Sequence, residues 1–187
     1  MSLKMIGSVS RRLEAEPQTT GDVTSWDTFF APDDDIHAVI VAGLTRAAQK
    51  GAECHSSQYG FTDQDIADLF VRLGKNAHSR FLFDKTQEAG TKERPIVKAM
   101  LKQIGKAQWA IGTSKKAHQI LHTKAIAILF SDGTGWSVTG SFNLSASAEQ
   151  QFNIVDVVGS RSRAELFASR IDGMFNWVKT NQPQNVP

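Results

Sequence analysis

Apolar and polar residues alternate along this chain with two different spacings, which predicts strands and helices in turn. Apolar residues at every second position indicate a strand with one buried face, and apolar residues three or four positions apart indicate an amphipathic helix. Strands are predicted at residues 24–30, 52–59, 79–84, 108–113, 121–130, 136–139 and 153–158, and helices at 33–50, 62–74, 95–104 and 162–180.

Capping residues indicate where three of these helices begin. The aspartates at 33–35 offer an N-cap and negative charges that complement the helix dipole. Thr62 with Asp65, and Ser162 with Glu165, have the spacing of a capping box. The last helix is expected to expose little of its apolar side chains, which are Leu166, Phe167, Ile171, Phe175 and Trp177.

The order of these elements predicts an α/β fold in which helices flank both faces of one mixed β-sheet. Alternating strands and helices favour parallel pairing early in the chain, whereas the turn at 131–135 joins two later strands as an antiparallel hairpin. A length of 187 residues, 41% of them hydrophobic, suits a single domain. We expect a poorly ordered N-terminal arm at 1–22, one domain at 23–180 and a C-terminal tail at 181–187.

Basic residues are concentrated in one part of the chain. The net charge is only +2, but residues 85–124 contain nine lysines and arginines against two glutamates, which gives a local charge of +7. Such a segment is typical of a protein that binds a polyanion, although a charged run on a helix is more often a solvated face.

Cysteine and histidine are too sparse for a disulfide or a metal site. The single cysteine, Cys54, excludes an internal disulfide and is predicted to be a small buried residue of a strand. The five histidines do not have metal-ligand spacing, so we predict no metal. His55 is expected at the edge of the core, and His37 and His78 at the surface. The tryptophans are predicted to be packing anchors: Trp26, Trp109, Trp136 and Trp177.

Membrane and export signals are absent from the sequence. No apolar run approaches the length of a membrane span, and the N-terminus lacks the apolar core of a signal peptide. A cytoplasmic location is therefore the default expectation, and a periplasmic or secreted location would apply if a leader had been removed.

His122 and Lys124 stand two residues apart near the start of a predicted strand. Because residues two apart point to the same face of a strand, the imidazole and the ammonium group are predicted to project together. Ile126, Ile128 and Phe130 would continue that face into the core. Taken alone, a strand histidine is more often a structural residue, and a lone lysine is usually a surface cation.

A second polar group follows within twenty residues. Gly140 lets a ligand approach the backbone closely, and the Ser141 hydroxyl and Asn143 amide offer donors to phosphate oxygens. These residue types are also common in turns. A histidine–lysine pair followed by this group is harder to explain by turns alone, and together they predict a phosphate-binding site.

These residues resemble a known signature. His122-Thr-Lys124 followed by Thr139-Gly-Ser-Phe-Asn143 resembles the motif of the phospholipase D superfamily, in particular its small bacterial nucleases with a single copy of the motif. The resemblance extends from about Trp26 to Trp177 and includes Tyr59-Gly-Phe-Thr-Asp63 and Phe81-Leu-Phe-Asp84.

The resemblance implies a phosphodiesterase that acts through a phosphohistidine and needs no metal. His122 would attack phosphorus, and its counterpart in a second copy would be the general acid, so a homodimer is implied. Lys124, Ser141 and Asn143 would stabilise the developing negative charge. The candidate substrate contacts are Gly140, Lys85, Lys115, Lys116, His118 and Trp136. For His118 the alternative is an exposed residue without a role, and for Trp136 the alternatives are packing and stacking on a base.

Two positions depart from the family pattern. The aspartate expected five residues after the lysine is replaced by Leu129, and the nearest carboxylate is Asp132. The glutamate that orients the histidine in the family is also missing. Asp156 is our candidate for that orienting acid, with Asn153 and Glu149 as alternatives.

Three alternative functions are consistent with these sequence features. The leading hypothesis is an endonuclease that cleaves DNA or RNA, supported by the motif and the basic segment. A phospholipid phosphodiesterase is the second, although the sequence contains no amphipathic interfacial helix. The third is a nucleic-acid-binding module with an impaired site, which the two missing carboxylates would explain.

Overall fold

A seven-stranded mixed β-sheet forms the centre of the protein. The computed structural model describes residues 23–88, 91, 93–115 and 119–183, so the predicted arm at 1–22 lies outside the described residues. Strands β2, β3 and β4 pair in parallel, and all other pairs are antiparallel. The strands are β1 Ser25–Ala31, β2 Glu53–Gln58, β3 Arg80–Asp84, β4 Trp109–Gly112, β5 Lys124–Leu129, β6 Gly135–Gly140 and β7 Asn153–Gly159, and their order in the sheet is β1-β7-β6-β5-β2-β3-β4.

Four helices cover the two faces of this sheet, as the sequence predicted. They are α1 Ile36–Gln49, α2 Gln64–Leu73, α3 Glu93–Leu101 and α4 Arg161–Asn181. Successive residues of β3 point to opposite faces: Phe81 and Phe83 join the core under α1, α2 and α3, whereas Leu82 packs with Phe175 and Val178 of α4. Among the described residues, no helix has the length and apolar character needed to cross a membrane.

The helix caps confirm one prediction and correct two. Asp35 caps α1, and its carboxylate accepts a hydrogen bond from Ala38 N at 2.8 Å. The cap of α2 is Asp63 rather than Thr62, because the carboxylate of Asp63 accepts a hydrogen bond from Ile66 N at 2.9 Å. The cap of α4 is Ser160 rather than Ser162, because β7 ends at Gly159 and the chain turns directly into the helix.

Two bulky side chains are more exposed than predicted. Trp26 is 59% exposed because it lies on the edge strand β1, and the guanidinium of Arg163 lies 5.7 Å from the centre of its ring. Leu166 is 43% exposed and lines a groove beside His122. Cys54, in contrast, is fully buried in β2 as predicted.

His55 forms a buried ion cluster between the sheet and α4. Its Nδ1 lies 2.7 Å from Asp172 Oδ1, and its Nε2 lies 2.6 Å from Glu53 Oε1. Burial alone would lower the pKa of His55, but the hydrogen bonds and charges of Asp172 and Glu53 outweigh burial and raise it above its ordinary value of 6.5. The protonated imidazole therefore stabilises the fold.

The native protein binds the proton of His55 more tightly than the unfolded chain does. We therefore expect the full contribution of His55 to stability below about pH 6.5, and its loss as pH rises through the pKa of the folded state. Replacing His55 with glutamine should lower the free energy of unfolding by about 2 kcal/mol near pH 6 and by less near pH 9. Urea unfolding at several pH values measures this difference. His78→Gln, at an exposed position, is the control, and a pH-independent loss in His55→Gln would contradict the prediction.

Candidate active site

The two predicted motifs meet at one end of the sheet. Lys124 begins β5 opposite the last residue of β2, Gln58, while Gly140 ends β6 opposite Val155 near the start of β7. Because β5 and β6 are antiparallel, the end of β6 lies beside the start of β5. The second motif (Gly140, Ser141 and Asn143) therefore lies beside the first motif (His122 and Lys124). We call this end of the sheet the motif end.

His122 and Lys124 are in direct contact. Lys124 Nζ and His122 Nε2 lie 3.1 Å apart, which is hydrogen-bonding distance for an ammonium donor and the lone pair of an imidazole nitrogen. The ring of Tyr59 lies edge-on to the imidazole at 4.6 Å, and Lys124 Nζ lies 5.0 Å from the centre of the same ring. Burial lowers the pKa of Lys124. Tyr59 is a site residue that was not among the candidates predicted from the sequence, although it begins one of the segments of the resemblance.

Groups outside the motif hold these two side chains in place. The buried carboxylate of Asp84, at the end of β3, accepts from Leu121 N at 2.6 Å and so fixes the residue before His122. The hydroxyl of Thr123, between the two motif residues, forms a short hydrogen bond with Ser57 of β2. Asp84 and Ser57 thus position the segment from two neighbouring strands, a role that no local sequence signal indicated.

The second motif is held by β7. Ser141 N donates to Ile154 O at 2.9 Å, and the Ser141 hydroxyl donates to Asn153 Oδ1 at 2.9 Å. A side chain at Gly140 would overlap the carbonyl of Ile154, so the close approach of β6 and β7 requires glycine. Among the described residues, no group donates to the buried Oδ1 of Asn143.

Asp156, the carboxylate proposed to orient His122, and Asp132, the carboxylate nearest to Leu129 along the chain, both lie away from His122. Asp156 accepts from Thr28 Oγ1 at 2.7 Å and belongs to the β1–β7 pair. Asp132 lies in the hairpin turn at the opposite end of β5, where it pairs with Lys50 at 3.3 Å. Within the described parts of the chain, no carboxylate reaches hydrogen-bonding distance of His122. Asn153, rather than Asp156, is the polar side chain of β7 that joins the motif.

Leu129, which stands where the family pattern has an aspartate, lies away from the contact between His122 and Lys124. Leu129 ends β5, opposite Glu53 of β2 and Gly135 of β6. It stands an odd number of positions after Lys124, so the two side chains point to opposite faces of the sheet.

The predicted substrate contacts are only partly brought together. Lys85 is exposed directly after Asp84, and Lys115 is exposed and lines a groove with His122. Trp136 lies at the opposite end of β6 from Gly140 and packs against Gly43 of α1, so the structure does not bring it to the motifs. Lys116 and His118 lie outside the described residues.

A groove of about 470 Å³ runs between His122 and α4. His122, Lys124 and Gly140 form one wall, and exposed Arg170 with partly exposed Phe167 forms the other. The groove thus combines three cationic or protonatable groups with an apolar surface, which suits a phosphodiester that carries a planar or apolar substituent. No local sequence pattern indicated Arg170, because it is far from both motifs along the chain.

The fold matches that of a solved phospholipase D family protein. No protein-family model and no curated protein matches this chain. Nuc from Salmonella typhimurium, a phospholipase D family member, superimposes with a TM-score of 0.60 at 21% identity, over 81% of this chain and 94% of that one. NucT from Helicobacter pylori gives 0.60 at 16% identity over 80% and 94%. Polyphosphate kinase from Porphyromonas gingivalis gives 0.58 at 13% identity over 80% of this chain but 26% of its own. The chain therefore has the phospholipase D fold, which confirms the fold that the motif pair implied.

Proposed function

We propose that this protein is a phosphodiesterase, and specifically an endonuclease that cleaves DNA or RNA through a phosphohistidine. The observation that carries the proposal is the contact between Lys124 Nζ and His122 Nε2, with Ser141 and Asn143 at the same end of the sheet. The phospholipase D fold and the +7 charge of residues 85–124 support it.

The contact suggests how the first step would proceed. When a phosphate enters, the Lys124 ammonium turns to one of its oxygens, which frees the lone pair of His122 Nε2. Nε2 then attacks phosphorus, forming the N–P bond while the bond from phosphorus to the leaving oxygen breaks. Lys124, Ser141 and Asn143 stabilise the charge on the other phosphate oxygens. No metal takes part in this step.

The leaving oxygen must also receive a proton, and one chain contributes a single motif histidine. We therefore assign the proton to the His122 of a second copy. In the second step, that histidine removes a proton from water, the water oxygen attacks phosphorus, and the N–P bond breaks. A homodimer that joins two such half-sites across a two-fold axis would complete the reaction.

An exposed apolar surface beside the motifs supports association with a second copy. Phe152 is 96% exposed and immediately precedes Asn153. Phe30 and Ile154 are neighbours on β1 and β7 and are also exposed. Covering such a surface is favourable, and its position at the motif end would place two copies of His122 near one another.

One experiment tests both the activity and the dimer. The protein is separated by size-exclusion chromatography in EDTA, and each fraction is incubated with labelled single- and double-stranded DNA and RNA. We expect cleavage in the fractions that correspond to two chains of 20.5 kDa. Full activity in a monomer fraction would contradict the shared site.

The same fractions distinguish the other two functions. Release of headgroups from phosphatidylcholine vesicles without cleavage of nucleic acid would favour the phospholipid phosphodiesterase. Tight binding of nucleic acid with no turnover in any fraction between pH 5 and 8, where histidine titrates, would favour the binding module.

A further inference from the structure

We propose that His37, Asp63 and Glu149 form a binding site for a divalent transition-metal ion of the Zn²⁺ type. The ligand atoms of these three side chains all lie within 4.8 Å of one another. They come from three separate elements: α1, the cap of α2, and the 3-10 turn Ala146–Gln150. A long-range convergence of this kind is independent of the motif residues and of the proposed function.

The chemistry of the three groups suits Zn²⁺. One imidazole nitrogen and two carboxylate oxygens are typical ligands of this ion, which binds them at about 2.0–2.2 Å. His37 Nε2 and Asp63 Oδ2 are separated by 2.9 Å, a distance that two ligands can have when each lies about 2.0–2.2 Å from one ion. Because the set contains nitrogen, it favours a transition metal over Mg²⁺ or Ca²⁺, which prefer oxygen ligands.

Asp63 is already oriented for this role. Its Oδ1 accepts from Ile66 N at 2.9 Å as the N-cap of α2, which leaves Oδ2 directed at His37. A backbone hydrogen bond to the second oxygen of a ligand is the arrangement that holds metal ligands in place. The side chain of Asp63 is 10% exposed and that of His37 is 25% exposed, whereas Glu149 is exposed. The ion would be shielded on the side of the helices and open to water on the other.

The ion would link the second motif to two helices. Glu149 belongs to the turn between Asn143 and Asn153, and Ala148 O of that turn accepts from Asn153 Nδ2 at 2.8 Å. Helices α1 and α2 lie on the face of the sheet opposite α4. The site is therefore separate from the groove at His122, and the ion would stabilise the loop without entering the phosphoryl step.

Thermal unfolding with and without Zn²⁺ tests the site. We expect ZnCl₂ added to the metal-stripped full chain to raise Tm by about 5 °C, and calorimetric titration to give one equivalent. His37→Ala should abolish both effects. Glu149→Gln should do the same and, because Glu149 is exposed, should leave the fold intact. His78→Ala, at an exposed histidine outside the cluster, is the matched control and should keep the wild-type response.

Two results would overturn the proposal. One is a wild-type protein whose Tm does not change with Zn²⁺. The other is an equal rise in wild type, His37→Ala and Glu149→Gln, which would mean that Zn²⁺ binds only adventitiously. Neither depends on nuclease activity, so the metal site and the proposed function fail independently.

Discussion

Replacing His122 with alanine is expected to lower kcat for phosphodiester cleavage by about 10⁴-fold, with little change in KM. The substitution removes the nitrogen proposed to form the bond to phosphorus, while Lys124 and the second motif remain to bind the phosphate. Steady-state cleavage of a labelled oligonucleotide in EDTA measures both constants. Acid-labile labelling of the protein, present in wild type and absent from His122→Ala, would identify the phosphohistidine.

The control for this experiment is His78→Ala. His78 is exposed in the turn before β3, and its amide donates to Asn76 Oδ1, so its imidazole is not needed for the fold or the site. The control should cleave at the wild-type rate. If His122→Ala retained that rate as well, His122 would not be the nucleophile, and the reaction would have to use another group.

Replacing Gly140 with alanine is expected to lower the free energy of unfolding by about 3 kcal/mol. The new Cβ would overlap the carbonyl of Ile154 and lie 2.9 Å from Val155 Cα, so β6 and β7 would have to separate. Both contacts are with backbone, which cannot rotate away as a side chain can. Since Ser141 is hydrogen-bonded to Ile154 and Asn153, the shift would also displace the second motif and lower cleavage. Urea unfolding and the cleavage assay measure the two effects.

Gly173→Ala is the matched control for Gly140→Ala. Gly173 lies within α4, and among the described residues a Cβ at this position would meet no atom within 4 Å outside the neighbouring backbone of its own helix. Alanine in a helix is more favourable than glycine by about 0.5–1 kcal/mol, so this variant should be as stable as wild type or more stable. If both variants were as stable as wild type, the close approach of β6 and β7 would not be the reason that position 140 is occupied by glycine.

Much of the fold was predictable from local patterns. All seven strands and all four helices were predicted close to their observed positions, because apolar spacing reports which face of an element is buried. The helix starts were less accurate. Ser162 has the correct residue type for a cap, but Ser160 is the cap because the end of β7, set by its pairing with β1, determines where α4 begins.

The candidate site was predictable only where its residues are close in sequence. The two-residue spacing of His122 and Lys124 predicted that their side chains project together, and Ser141 and Asn143 were chosen as phosphate donors that follow Gly140 directly. Asp156 was selected on residue type and order along the chain, yet its carboxylate bonds to Thr28. Asn153, three residues earlier on the same strand, reaches Ser141 instead.

Spacing and residue type alone thus specified the alternating elements, the mixed sheet and the two polar groups of the motif end. Only the tertiary structure shows which residues position the motif end. Asp84 accepts a hydrogen bond from Leu121 N, Ser57 is hydrogen-bonded to Thr123, and the ring of Tyr59 packs against His122. The cluster of His37, Asp63 and Glu149 is a further case, since its members are far apart along the chain. The physical reason is the same for all of these contacts. Side-chain spacing is a local property of the backbone, whereas a contact between distant residues exists only after the sheet and helices have packed.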